Sequence, residues 1–113
     1  MRDDTDRLRD ILASAEAAVA YASPRTRLHA GDDLVLAAVT HQLVVIGEAA
    51  NAVSEETRLA YPSLPWHLMI GVRNRIVHAY WSVDAERVWA TVDADLGPLV
   101  SLLHAIVDVD EAS

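Results

Sequence analysis

An all-α bundle is the fold this sequence predicts, and three observations carry the expectation. With only 4 Gly and 4 Pro among its residues, and with Ala, Leu and Val abundant, the chain has few positions that oppose helix. Apolar residues recur at three- and four-residue intervals along several stretches, and none alternates strictly as a half-buried strand would. The length of 113 residues suits one core, one that removes roughly two thirds of the unfolded surface from water. One domain over residues 1–113 follows, built as an antiparallel bundle of four main helices plus a short one.

The first helix is expected from Asp4 or Thr5, either of which suits an N-cap, with Leu8, Ile11, Leu12, Ala15, Val19 and Ala22 on one stripe. Pro24 disfavours helix at Ser23, so "SPR" should end it and a loop containing Gly31 should follow. Asp32 or Asp33 caps a second helix to about Val53, with the stripe Leu36, Val39, Leu43, Ile46, Ala50 and Val53. Further apolar residues lie off that stripe, at Leu34, Val35, Ala38, Val45 and Ala49, which suits a helix covered on most sides. Gly47 in its middle costs about 1 kcal/mol against Ala unless another backbone comes close there. A short helix, "EETRLAY", runs between Ser54 as cap and Pro62 as stop. Pro65 opens the third long helix with Ser63 as a possible cap, and Asp84 caps the last, where "GP" at 97 and 98 should kink or interrupt it.

Charge and composition limit the function. The net charge is −8 at pH 7, which argues against broad attraction to nucleic acid or anionic membrane, so any phosphate chemistry must rest on a local arginine cluster. Cysteine is absent, which removes thiol nucleophiles, disulfides and Cys-containing zinc sites. No apolar run approaches the ~18 residues of a membrane span, and the charged start "MRDDTDRLRD" has no signal-peptide character, so a cytoplasmic protein is expected. His29, His41, His67 and His104 form no metal-ligand spacing, and no metal or cofactor is assigned.

Within this acidic chain one stretch, "RNRIVHAYW" at 73 to 81, gathers two arginines, an amide, a histidine, a tyrosine and a tryptophan. On a helical wheel Leu68, Met69, Val72, Ile76 and Ala79 make a core arc roughly 100° wide. Relative to Arg73, Tyr80 lies about 20° behind, Asn74 about 100° ahead and His78 about 140° ahead, all directed away from that arc. Ile70, Val77 and Trp81 fall among them, and apolar residues on an outward face imply contact with a second copy of the chain. Arg75, at the border of the core arc, suits a salt bridge or an RNA backbone equally. Trp66, Trp81 and Trp89 read as packing residues.

Arg73-Asn74-x-x-x-His78-x-Tyr80, set among "IGEAAN", "YPSLPWHLMIGVRNRIVHAYWSVD" and "VWATVDADLGPL", resembles the HEPN-domain toxins of the HepT type. The resemblance covers most of residues 43 to 100. It implies a dimerising α-helical bundle and a metal-independent ribonuclease in which Arg73 and His78 are catalytic at the dimer cleft. It also implies that Asn74 supports them and that a small nucleotidyltransferase antitoxin (MNT type) neutralises the protein, in some members by adding AMP to the tyrosine, here Tyr80. Glu48, in "IGEAAN", falls where the family pattern is also acidic and could hold Arg73 or Arg75. The chemistry suits the residues: histidine titrates near neutrality and serves as acid or base, and arginine offers fixed charge to phosphate oxygens. One histidine per chain is short of the two proton transfers needed, and a dimer supplies the second. A catalytically idle module that only binds the nucleotidyltransferase is the alternative, favoured by the acidic balance.

Overall fold

The computed structural model describes residues 3–79 and 84–112, with side chains as far as Val109. Every regular element among them is helical: α1 (Asp4–Tyr21), α2 (Pro24–Ala30), α3 (Asp32–Ala52), α4 (Glu55–Ala60), α5 (Trp66–His78), α6 (Ala85–Thr91) and α7 (Gly97–Ala112), with a π-helical turn at Val92–Leu96 joining the last two.

The helix starts follow capping chemistry. Asp3 rather than Asp4 or Thr5 caps α1, in a reciprocal pair: the Asp6 backbone N–H donates to Asp3 Oδ1 at 2.9 Å, and the Asp3 N–H donates to Asp6 Oδ2. Asp4 has another task. Its carboxylate accepts from the Ser54 backbone N–H at 3.2 Å and from the hydroxyls of Ser54 and Thr57, the latter at 2.6 Å. Those bonds hold the Asp4 pKa below its ordinary value, the hydroxyls being the main cause. They also fasten the start of α1 to the end of α3, so the two helices run antiparallel.

Two expectations about the connections change and a third holds. The segment after Pro24 is helix α2, not loop, because Pro24 sits at its first turn with Ser23 as cap, and the Thr26 N–H donates to the Ser23 hydroxyl. Pro65 is itself the N-cap of α5, without a side-chain cap from Ser63. The interruption expected at "GP" is present, displaced to the turn before it. It is a π turn over Val92–Leu96, next to Pro98, which has no N–H to donate back into that turn.

α3 lies between α1 and α5, and α1 carries α7 on its other flank. Ile11, Val39 and Leu103, from α1, α3 and α7, have essentially no exposure and mark the centre of an aliphatic core. By length and apolar content alone, α3 and the run Ala85–Val109 would suit a membrane span. In α3, however, Val35, Val39, Leu43, Ile46 and Ala50 are buried in the bundle and His41 and Glu48 stand exposed along it, so its apolar excess serves packing.

Candidate functional site

The site residues stand on α5, whose buried face is Trp66, Met69, Val72 and Ile76. Leu68 is half-buried and Ala79 is the C-cap rather than part of the arc. Ile70, placed outward by the wheel, is partly buried against the core, while Val77 is exposed. Tyr80 and Trp81 lie outside the described residues.

Arg73 differs most from expectation. Rather than pointing away, its stem lies over α3 at Gly47, where an added Cβ would stand 2.1 Å from the Arg73 Cβ and 2.7 Å from the Met69 carbonyl oxygen. Gly47 is therefore the close approach that its helix cost anticipated, and it widens the α5 surface that α3 covers. The Arg73 side chain keeps 30% exposure. One terminal nitrogen lies 3.6 Å from Glu48 Oε1, and the other donates to Asn74 Oδ1 at 3.1 Å. Its Nε is buried with no hydrogen-bond partner. Of the two partners open to Glu48, the structure chooses Arg73.

On the other flank of α5 a cleft of about 610 Å³ opens toward α6. Val72, Ile76 and Val88 are its buried residues, with half-buried Ala79 beside them. Asn74, Arg75, His78, Asp84 and Arg87 are exposed at its mouth, and Thr91 adds a half-buried hydroxyl. Asn74 thus joins the two sides, bonded to Arg73 and facing the cleft that His78 shares. Arg73 itself does not line that cleft. Among the described residues Arg75 makes no ion pair, and Arg87 lies 3.7 Å from Asp84 in a widely exposed pair that holds it weakly.

The helix from Ala85 is expected from the Asp84 cap, whose carboxylate accepts from the Glu86 N–H at 3.0 Å, and from the three- and four-residue spacing of Trp89, Val92, Leu96, Leu99, Leu103 and Ile106, but nothing in the sequence places Arg87 and Val88 against α5. The two described tryptophans pack: Trp66 Nε1 donates to the Tyr61 carbonyl at 3.0 Å, and the Arg27 guanidinium stacks 4.2 Å from the Trp89 ring centre while bonding Asp32. No group of three or more His, Asp or Glu that could hold a metal ion occurs among the described residues. His104 stands instead between Glu16 and Asp108, at 3.3 Å from each.

The family model described as "Ribonuclease HepT-like" matches residues 3–106. A Thermococcus cleftensis protein named as a probable ribonuclease HepT is 36% identical over 62 residues, covering 55% of this chain and 56% of its own. Two Methanocaldococcus jannaschii proteins named as candidate RNases are also 36% identical. One matches over 59 residues, 52% of this chain and 54% of its own; the other over 80, 67% and 66%. The chain spans about half the length of the first of these relatives. No solved structure matches it.

Proposed function

Because the chain belongs to the HepT-like ribonuclease family, we propose that it is the toxin of a toxin–antitoxin pair, a metal-independent endoribonuclease acting in the cytoplasm as a homodimer with Arg73, Asn74 and His78 at its site. The observation that carries the reading is the handling of Arg73. Its stem is wedged over Gly47 and its guanidinium rests against Glu48 and Asn74, beside a cleft that ends at an exposed His78. A cation fixed before substrate arrives needs no reorganisation when charge develops on the phosphate.

In the proposed reaction the RNA 2′-oxygen attacks phosphorus and the bond from phosphorus to the 5′-oxygen breaks, leaving a 2′,3′-cyclic phosphate. One imidazole takes the 2′-OH proton, and a second, as imidazolium, protonates the departing 5′-oxygen. Each chain supplies one of these through its own His78. The exposed Val77 on the outward face favours a second copy beside α5. Arg73 balances the transition-state charge, and Asn74 keeps the guanidinium directed.

Control follows from the same helix. A nucleotidyltransferase antitoxin would transfer AMP from ATP to the Tyr80 hydroxyl, two residues beyond His78, breaking the α–β phosphoanhydride and releasing pyrophosphate and the phenolic proton, and the attached phosphate would compete for the arginines that RNA needs. The net charge of −8 favours a second reading, an inactive module whose task is to bind that nucleotidyltransferase. Purified protein incubated with total RNA in EDTA separates the two. The ribonuclease gives cyclic-phosphate ends that vanish in His78→Ala, and the inactive module gives none. Cleavage that requires magnesium, or that persists in His78→Ala, sinks the proposed chemistry.

A further inference from the structure

The cleft between α5 and α6 holds a group that the reaction above does not use. Arg75 and Arg87 come from different helices and both line it, exposed, in a chain with 17 acidic residues and 9 basic ones. Among the described residues Arg75 has no ion pair, and Arg87 has the exposed Asp84 at 3.7 Å. Beneath them the cleft is apolar, through Val72, Ile76 and Val88. Its volume of about 610 Å³ falls in the range of small-ligand sites, roughly 300–1,000 Å³.

Two guanidinium groups over an apolar slot match an anion carried on a flat, weakly polar body. We propose that this cleft binds one nucleotide of the RNA, next to the bond that is cut. Arg75 and Arg87 take its phosphate, and the slot between Val72, Ile76 and Val88 takes its base. The proposal rests on the ribonuclease reading, since His78 shares the same cleft and would meet the adjacent phosphate. A net −8 gives RNA no long-range attraction, so any affinity must come from local contacts such as these two arginines, and those contacts leave their mark on the salt dependence. It also separates two arginine roles on one helix. Arg73, half-buried and tied down, addresses the reacting phosphate, whereas Arg75 holds the strand.

The test uses a fluorescein-labelled mixed-sequence RNA twelve-mer, 2′-O-methylated throughout so that it cannot be cut, titrated against the full chain. Arg75→Ala and Arg87→Ala should each weaken binding roughly five- to tenfold, and replacing both should lower the slope of log Kd against log salt by about 0.7, one phosphate's worth. Arg25→Ala, an exposed arginine on α2, should change neither. AMP in place of RNA should bind far more weakly. Both cleft variants binding RNA as wild type does, or AMP binding through these arginines while RNA ignores them, overturns the proposal. Cleavage of the unmethylated twelve-mer by wild type is followed in parallel. A protein that binds through both arginines but never cuts keeps the cleft and loses the ribonuclease reading; one that cuts while both variants bind normally does the reverse.

Discussion

Replacing Gly47 with alanine tests the contact on which the site is built. Ordinarily an alanine in mid-helix gains about 1 kcal/mol over glycine. Here the new Cβ would sit 2.1 Å from the Arg73 Cβ and 2.7 Å from the Met69 carbonyl oxygen, whereas carbon atoms pack at about 3.5–4.0 Å. The nearer atom is the root of a side chain and the other is backbone, so no rotamer change relieves the overlap. α3 and α5 must separate by roughly 1.5 Å. Overpacking of this kind costs about 3 kcal/mol at its usual upper end, and subtracting the helix gain leaves a net loss of about 2 kcal/mol. For a domain of this size that lowers Tm by roughly 8 °C. Since the displaced residue is Arg73, cleavage should fall by at least tenfold at a temperature where the variant remains folded. Thermal unfolding followed by circular dichroism, with cleavage measured well below Tm, reads both effects. A Gly47→Ala protein as stable and as active as wild type would refute the close approach and the role derived from it.

Gly71 provides the opposite case: it lies in α5 with nothing within 4 Å of an added Cβ, so Gly71→Ala should raise stability by about 1 kcal/mol in urea unfolding. His78→Ala should lower cleavage by about 10² to 10⁴ while leaving Tm unchanged, because the exposed ring contributes little to packing. Arg73→Ala should also abolish cleavage, but it should cost stability as well, since the stem over Gly47 is lost with the charge; an unchanged Tm would contradict that packing. The folded-state pKa of Asp4 is depressed by the Ser54 and Thr57 hydroxyls, so its contribution is present above the unfolded value near 3.8 and disappears as pH falls through the lower folded value. In Asp4→Asn, Tm should fall less steeply than in wild type as pH drops below about 4.

Much of this was legible in the sequence wherever one residue decides the outcome locally. Ser54 and Asp84 cap the helices they were expected to cap, and Met69, Val72 and Ile76 are buried as their spacing implies. Pro24 was misread because proline carries two opposite messages, stopping the helix before it and opening the one after it. The orientation of Arg73 was misread for a different reason. A wheel describes one helix alone, and it assigns the core face by hydrophobicity. Gly47 has no side chain to register on that scale, yet it decides how near α5 comes and so which α5 residues are covered. Arg87 escaped because its relation to Arg75 exists only in three dimensions.

The π turn at Val92–Leu96 has a consequence for how α6 is aimed. Relative to uninterrupted α-helix, a π turn accommodates one surplus residue, which rotates everything on one side of it by about 100° against the other. The final rod therefore carries two independent compass settings. Below the turn, Leu99, Leu103 and Val107 are referred to the core; above it, Val88, Thr91 and Arg87 are referred to the cleft. Excising a single residue between 92 and 96 would restore α-helical winding and merge the two settings. α7 is anchored by its buried leucines, so α6 is the half that would turn, swinging Arg87 away from Arg75 with every site residue still in place.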